Sequence, residues 1–316
     1  MRALGSECLV RVVVADGDPS GPALLDAAVA GLDDIEARWS RFRPDSELSV
    51  LNRHAGSPVF TSADTATVVA MAVEAWRATA GLFDPTVHDA LVASGYDRTF
   101  DELDEAATAP IPVPPGSPAP PGTSVPGAAG IEVDERIGLV VLPVGCHLDL
   151  GGIGKGRAAD LVFDRLIGAG ALGACVDLGG DVRVGGRTPG AGDDWLIAVD
   201  DPFEPGRDLA LLRLADGAVT TSSSAKRRWS AGSGTAHHLI DPATGRSARS
   251  GLVAVTVVAG AAAWGEVHAK AALIAGVGRG RELIEEAGMA ALMIADDGTV
   301  TPAGPIADFL VEEDHR

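Results

Sequence analysis

From about Ala106 to Ala129 the chain becomes dense in proline, alanine and glycine, with APIPVPPGSPAPPGTSVPGAA as its heart. Proline lacks a backbone N–H and fixes φ, so this run supplies neither a helix interior nor a central strand. It reads as a loop insertion, and regular structure has to be built on either side of it. Before it, Cys8 to Ala15 reads as a strand, and Pro22 to Phe42 places Leu24, Leu25, Val29, Leu32, Ile35 and Trp39 at helical spacing. Ser62 is an N-cap for a second helix that runs to Ala80 and stops at Gly81. After the insertion, Ile131 to Leu142 reads as a hairpin turning near Arg136, and Gly154 to Ile167 as a helix. The apolar runs Ala174–Leu178, Trp195–Val199, Leu209–Leu214, His238–Ile240 and Val253–Val258 read mostly as strands. Helices follow from about Ala261 to Ala275 and near Arg281 to Ala287, then a strand at Ala290–Ile294. Strands with interleaved helices but no regular alternation specify an α+β class, with largely antiparallel sheets flanked by helices. Residues 1–316 are read as a single domain carrying the insertion at about 106–129.

With 316 residues and 46% hydrophobic content the chain can bury a large core. Acidic residues outnumber basic ones 44 to 25, a formal charge of -19, which repels nucleic acid and anionic membrane at long range. An anionic ligand therefore needs a local basic pocket. Cys8, Cys146 and Cys175 lie in apolar runs without metal-ligand spacing, so buried free thiols in a reducing compartment are expected. No signal-peptide pattern opens the chain, and no run approaches the roughly 18 apolar residues of a membrane helix. A soluble, cytoplasmic protein without a membrane anchor is expected.

Phosphate chemistry is written most densely into Thr220–Gly245, TTSSSAKRRWSAGSGTAHHLIDPATG. Ser222, Ser223 and Ser224 can donate to anionic oxygens, Lys226 and Arg227 can neutralise them, and His237 or His238 titrates near neutrality. An ordinary solvated Ser/Gly turn with scattered cations has the same composition, and the local residues alone leave both readings open. The segment DLGGIGKG at Asp149–Gly156 invites a phosphate-loop reading, since its glycines free backbone amides, a helix start follows and Lys155 adds a cation. It is not a Walker loop, because Gly156 follows the lysine where Ser or Thr is required. A tight strand-to-helix turn accounts for the same glycines. DLGGD at Asp177–Asp181 reads as a turn between two strands that carries two carboxylates.

Six blocks in order carry a resemblance: WSRFRPDSELSVLN (39–52), GLFDPTV (81–87), DLGGIGKG (149–156), VDLGGDVRVGG (176–186), TSSSAKRRW with HHLIDPATG (221–245), and VTVVAGAAAWGEVHAKAALIAG (255–276). Together they resemble the ApbE family, the FAD:protein FMN transferases, over essentially the whole chain. The resemblance implies a T-fold-related ApbE architecture and a reaction in which a Thr or Ser hydroxyl of an acceptor flavoprotein attacks the FAD pyrophosphate, takes FMN and releases AMP. Flavin binding without transfer, and hydrolysis of FAD to FMN and AMP, are the alternatives.

By the same resemblance His238 matches the catalytic histidine, while His237 would face the opposite side if this segment is a strand. Ser46, Leu48, Phe83, Asp84, Thr86, Lys155, Asp177, Thr221, Ser222 and Asp241 match FAD-contacting positions, and Thr244 helps Asp241 to shape a turn. Phe83 reads equally as core, and Asp84-Pro85 as a plain turn. The family's metal ligands for Mg²⁺ are the carbonyl at Gly154, an Asp and, four residues on, a Thr; this chain has Glu266 and Lys270 instead. An ammonium at a ligand position repels a divalent cation and removes one oxygen from its shell. The expectation is that Lys270 supplies positive charge to the pyrophosphate in place of Mg²⁺, or that the metal is held differently. A plain Glu266–Lys270 surface pair at i,i+4 spacing is the bland reading.

Overall fold

The computed structural model describes residues 1–100, 102–103, 122–190, 192–231 and 234–311, so residues 106–121 of the expected insertion lie outside the described residues. These divide into two compact units, one of Met1–Glu36, Ile153–Ser222 and Gly251–Arg316, the other of Ala37–Gly152 and Ser223–Ser250.

The first unit is built on an eight-stranded sheet. Its strands in chain order are β1 (Arg2–Ala3), β2 (Ser6–Val13), β3 (Gly173–Leu178), β4 (Asp181–Gly186), β5 (Gly217–Ser223), β6 (Leu252–Ala259), β7 (Ala290–Ala295) and β8 (Val300–Ala303), and they lie side by side in that order. β1–β2, β2–β3, β3–β4, β4–β5, β6–β7 and β7–β8 pair antiparallel. β6 and β7 are buried almost throughout, as their continuous apolar sequences LVAVTVVA and AALMIA demand of strands covered on both faces. Val182, Val184, Val219, Val258 and Leu292 pack with Trp195, Val199, Leu212 and Leu214 of a two-stranded ribbon, Trp195–Asp200 with Asp208–Leu214. Side chains alternate along a strand, so the residues between these valines face the other layer. Arg183 does so, with its guanidinium 4.1 Å over the Phe163 ring. That layer contains the helices Gly154–Gly168 and Ala262–Ala275, each within a residue or so of its expected bounds.

Helices among the described residues of the second unit include Glu47–Arg53, Ala63–Ala78 and His88–Ala93, beside a three-stranded sheet in which Leu139–Val141 pairs with both Pro58–Phe60 and Glu132–Asp134. The expected hairpin near Arg136 and the Ser62 N-cap are both present, the cap accepting from Thr65 N. Two short helices, Glu47–Arg53 and His88–Ala93, are absent from the sequence reading. His238 is corrected too: the strand ends at His237, His238 sits in a bend, and pairing resumes at Ile240. A small core of Leu91, Tyr96, Trp229, Ala236 and Ile240 holds this unit's C-terminal strands, and the Trp229 Nε1–H donates to Ser94 O at 2.6 Å.

Cys8, Cys146 and Cys175 are buried free thiols, as expected, and burial pushes Cys146 and Cys175 up to about 11. No helix among the described residues is long and apolar enough to cross a membrane.

Candidate functional site

Let the helices Gly21–Trp39, Glu47–Arg53, Ala63–Ala78, His88–Ala93, Gly154–Gly168, Ala262–Ala275 and Val277–Glu286 be α1 to α7. In the first unit α5 and α6 meet at their N-terminal ends, where each leaves backbone N–H groups without intrahelical acceptors. Each helix caps the other. Asp160 of α5 accepts from Ala262 N at 2.8 Å and Ala263 N at 3.0 Å, while Glu266 of α6 accepts from Gly156 N at 2.9 Å. The approach is close enough that a Cβ at Gly156 would lie 2.4 Å from Ala262 O, so this glycine is a packing requirement.

That crossing fixes Lys155. Its Nζ donates to Asp181 Oδ2 and, over 2.9 Å, to Glu266 Oε1. Asp181 is 1% exposed and Glu266 2%, so two carboxylates withdrawn from bulk water share a lysine that itself keeps a partly exposed side chain. Asp181 gets there through the Gly179-Gly180 turn, whose φ values of 71° and 94° join β3 to β4 as only glycines do comfortably. Burial pushes the Asp181 carboxyl up, to about 7; the Glu266 charge adds to the rise, while Lys155 and Lys270 oppose it. Strand alternation puts Thr220 and Ser222, both buried, on this helix-facing side of the sheet. Thr221 faces the other side, bonded to Thr256 at 2.9 Å. Asp177 remains at the turn, accepting from Gly180 N at 2.9 Å.

In the second unit the adjacent histidines have different surroundings. His237 is locked: its Nε2 meets Ala248 O at 3.0 Å, and its Nδ1 accepts from Leu239 N at 3.3 Å, which assigns the neutral Nε2–H tautomer. Burial holds its pKa below the usual histidine value. His238 is only half-buried. Asp241 forms the turn that follows, accepting from Ala243 N at 2.9 Å and Thr244 Oγ1 at 3.0 Å. The GLFDPT segment is folded inward: Phe83 is 2% exposed, and the Asp84 carboxylate accepts from Thr86 N at 2.8 Å and Thr86 Oγ1 at 2.6 Å. Burial pushes Asp84 up against those bonds. Ser46 is the N-cap of α2, accepting from Ser49 N at 3.0 Å and donating to Ser40 O at 2.7 Å, and Leu48 is core. The side chains of Ser46, Leu48, Phe83, Asp84 and Thr86 are thus engaged within the fold, and what they set is the shape of the backbone.

A profile of the ApbE family matches residues 4–293. The chain belongs to the ApbE family. Among its relatives are an FAD:protein FMN transferase of Vibrio cholerae, 29% identical over 271 residues that cover 84% of this chain and 78% of that protein. Another, of Treponema pallidum, is 28% identical over 321 residues covering 96% and 86%. The solved ApbE protein of Thermotoga maritima superposes with a TM-score of 0.79 at 26% identity, covering 98% of this chain and 97% of that one. The flavin transferase ApbE from Vibrio cholerae gives a TM-score of 0.77 at 25% identity, covering 98% and 97%.

In this ApbE-family chain the positions Gly154, Glu266 and Lys270 do not make a divalent-cation site of the expected kind. Glu266 spends one oxygen on Lys155 and the other on the Gly156 amide, and an ammonium has no lone pair to offer. Nor is Glu266 half of a surface pair, since it is buried. Sequence reasoning sees Asp181 only as the second turn carboxylate of DLGGD and passes over Asp160. Two-residue alternation from the apolar Val182 and Val184 was the available signal that Asp181 faces the helices.

Proposed function

We propose that this protein transfers the FMN half of FAD to a hydroxyl of an acceptor flavoprotein. The observation that carries the reading is the pair of lysines, Lys155 and Lys270, gathered with Asp181 at the α5–α6 crossing of a chain whose net charge is -19. Asp181 and Glu266 balance their charge, so what this cluster offers the pyrophosphate of FAD is two ammonium donors on an otherwise acidic protein. In the step itself the acceptor Thr or Ser oxygen attacks the FMN-side phosphorus, a phosphoester bond forms, and the bond to the AMP phosphate breaks. The hydroxyl proton passes to His238, and AMP leaves with the electron pair of the broken bond. Such a reaction needs positioning and charge neutralisation more than covalent help. His238, half-buried in the bend after the strand, is the base by its match to the family's catalytic histidine.

Lys155 and Lys270 neutralise the leaving phosphate without Mg²⁺. Ser222 and, near its strand end, Asp177 add flavin-nucleotide contacts on this unit, Thr221 braces the strand from its other face through Thr256, and Asp241 holds the turn after His238. A cytoplasmic location suits three reduced, buried thiols. Mass spectrometry of a candidate flavoprotein incubated with FAD and this chain tests the reaction. The expected result is a gain of one FMN on a Thr or Ser, with AMP released, and loss of at least about 100-fold in rate in His238→Ala. AMP release with no gain of mass on any acceptor would make the protein a hydrolase instead.

A further inference from the structure

Three side chains of the second unit to which no role is assigned above converge. His88 and Asp89 open α4, and His147 lies just before the glycine-rich turn. The His88 Nδ1 is 2.9 Å from Asp89 Oδ1, and the His147 Nδ1 is 2.8 Å from the same oxygen and 3.0 Å from Oδ2. The two rings stand edge to face with centroids 5.6 Å apart, and one ligating atom from each of the three residues lies within 4.8 Å of the others. We propose that His88, Asp89 and His147 form a binding site for a first-row divalent transition metal of the Zn²⁺ type, with its remaining positions open to water.

The donor set selects the metal class. Two imidazoles and one carboxylate suit Zn²⁺, Co²⁺, Ni²⁺ or Cu²⁺, while Mg²⁺ and Ca²⁺ require more oxygens than one Asp supplies. The spacing is close to that of a filled site. Bonds of about 2.0–2.1 Å in tetrahedral geometry set ligand atoms roughly 3.3 Å apart. The histidine–aspartate separations of 2.8–3.0 Å therefore have to open by a few tenths of an ångström, while the two histidine ligand atoms lie within 4.8 Å of each other. In the metal-free protein an Nδ1–H on each ring donates to Asp89; metal binding moves those protons to Nε2 and leaves the lone pairs on Nδ1 for the ion.

The frame that presents His147 is already fixed. Asn52 clamps the next residue, accepting from Leu148 N at 2.8 Å and donating to Leu148 O at 2.9 Å, and Asp149 N donates to Pro85 O at 2.8 Å. Side-chain exposures of 21% for His88, 45% for Asp89 and 32% for His147 leave the open positions reachable by solvent. Little ordering remains to oppose binding.

The test is independent of the flavin reading. Full-length protein without an affinity tag is titrated with Co²⁺, whose d–d absorption reports coordination, and Zn²⁺ is then added as a competitor. The expected result is a four- or five-coordinate Co²⁺ spectrum saturating at one ion per chain and abolished by Zn²⁺. Asp89→Asn and His147→Ala, each checked for folding by circular dichroism, are expected to weaken Co²⁺ at least about 100-fold. A spectrum of six-coordinate aqueous Co²⁺, or binding that survives in both variants, overturns the assignment.

Discussion

A lysine held between two buried carboxylates is poised differently from one in water. Lys155 donates to Asp181 and Glu266, the burial that pushes Asp181 up also strengthens its attraction to the cation, and removing the lysine leaves two buried carboxylates facing each other. Lys270 belongs to the same field, acting on Asp181 by its charge. Charge neutralisation by lysine in place of a divalent ion makes a prediction at this scale. FMN transfer by the wild-type protein is expected to be unaffected by added Mg²⁺, whereas the double variant Glu266→Asp with Lys270→Thr offers two oxygen ligands and is expected to become Mg²⁺-stimulated. Transfer assays across a Mg²⁺ titration measure both. Wild-type activity that chelation destroys and Mg²⁺ alone restores would show that the lysines do not stand in for the metal. Lys155, Glu266 and Lys270 were legible as a departure from a motif, but their partnership was not. An i,i+4 rule applied to one helix sees Glu266 and Lys270 and is blind to Lys155, which is 111 residues earlier in the chain.

At the scale of elements, the crossing of α5 and α6 is what presents the cluster, and its reciprocal caps are its weakest point. Asp160→Ala leaves the Ala262 and Ala263 N–H groups buried without an acceptor and is expected to destabilise the protein by roughly 1–3 kcal/mol. Asp160→Asn keeps one acceptor oxygen and should cost clearly less. Urea midpoints at unchanged m separate the two, and equal losses in both variants would dismiss the capping role. Long elements were readable from periodicity: α1, α3, α5 and α6 all fall close to their expected bounds. The seven-residue α2 and six-residue α4 were not, because two turns carry too few apolar positions to define a period. Ser46 shows the consequence. The family resemblance makes it a flavin contact, while its hydroxyl caps a helix that the sequence pattern does not reveal.

Across the whole molecule, the chain passes between the two units at four places, after Glu36, Gly152, Ser222 and Ser250, the first of them inside α1. Each unit is assembled from separated stretches of chain, which a reading of composition along the sequence does not reveal. Buried ionisable groups, by contrast, sum into one global property, the dependence of stability on pH. His237 and His268 are both held below the ordinary histidine pKa by burial. The unfolded chain takes up their protons near pH 6.5 and the folded chain only at lower pH, so protonation favours unfolding. Their contribution is present above that value and is lost as pH falls beneath it. Asp84, Asp160 and Asp181, whose pKa values are raised chiefly by burial, work in the opposite direction, since the folded state keeps their protons to higher pH. The net slope is therefore a compromise, and a variant isolates the histidine part. His237→Gln retains a donor and an acceptor but does not titrate, so between pH 7.5 and 5 the wild type should lose more stability than the variant. The excess is bounded by about 1.4 kcal/mol per unit of pKa shift. Denaturant unfolding at fixed ionic strength across that range reads it directly, and stability curves that run parallel would mean that His237 titrates alike in the folded and unfolded chains.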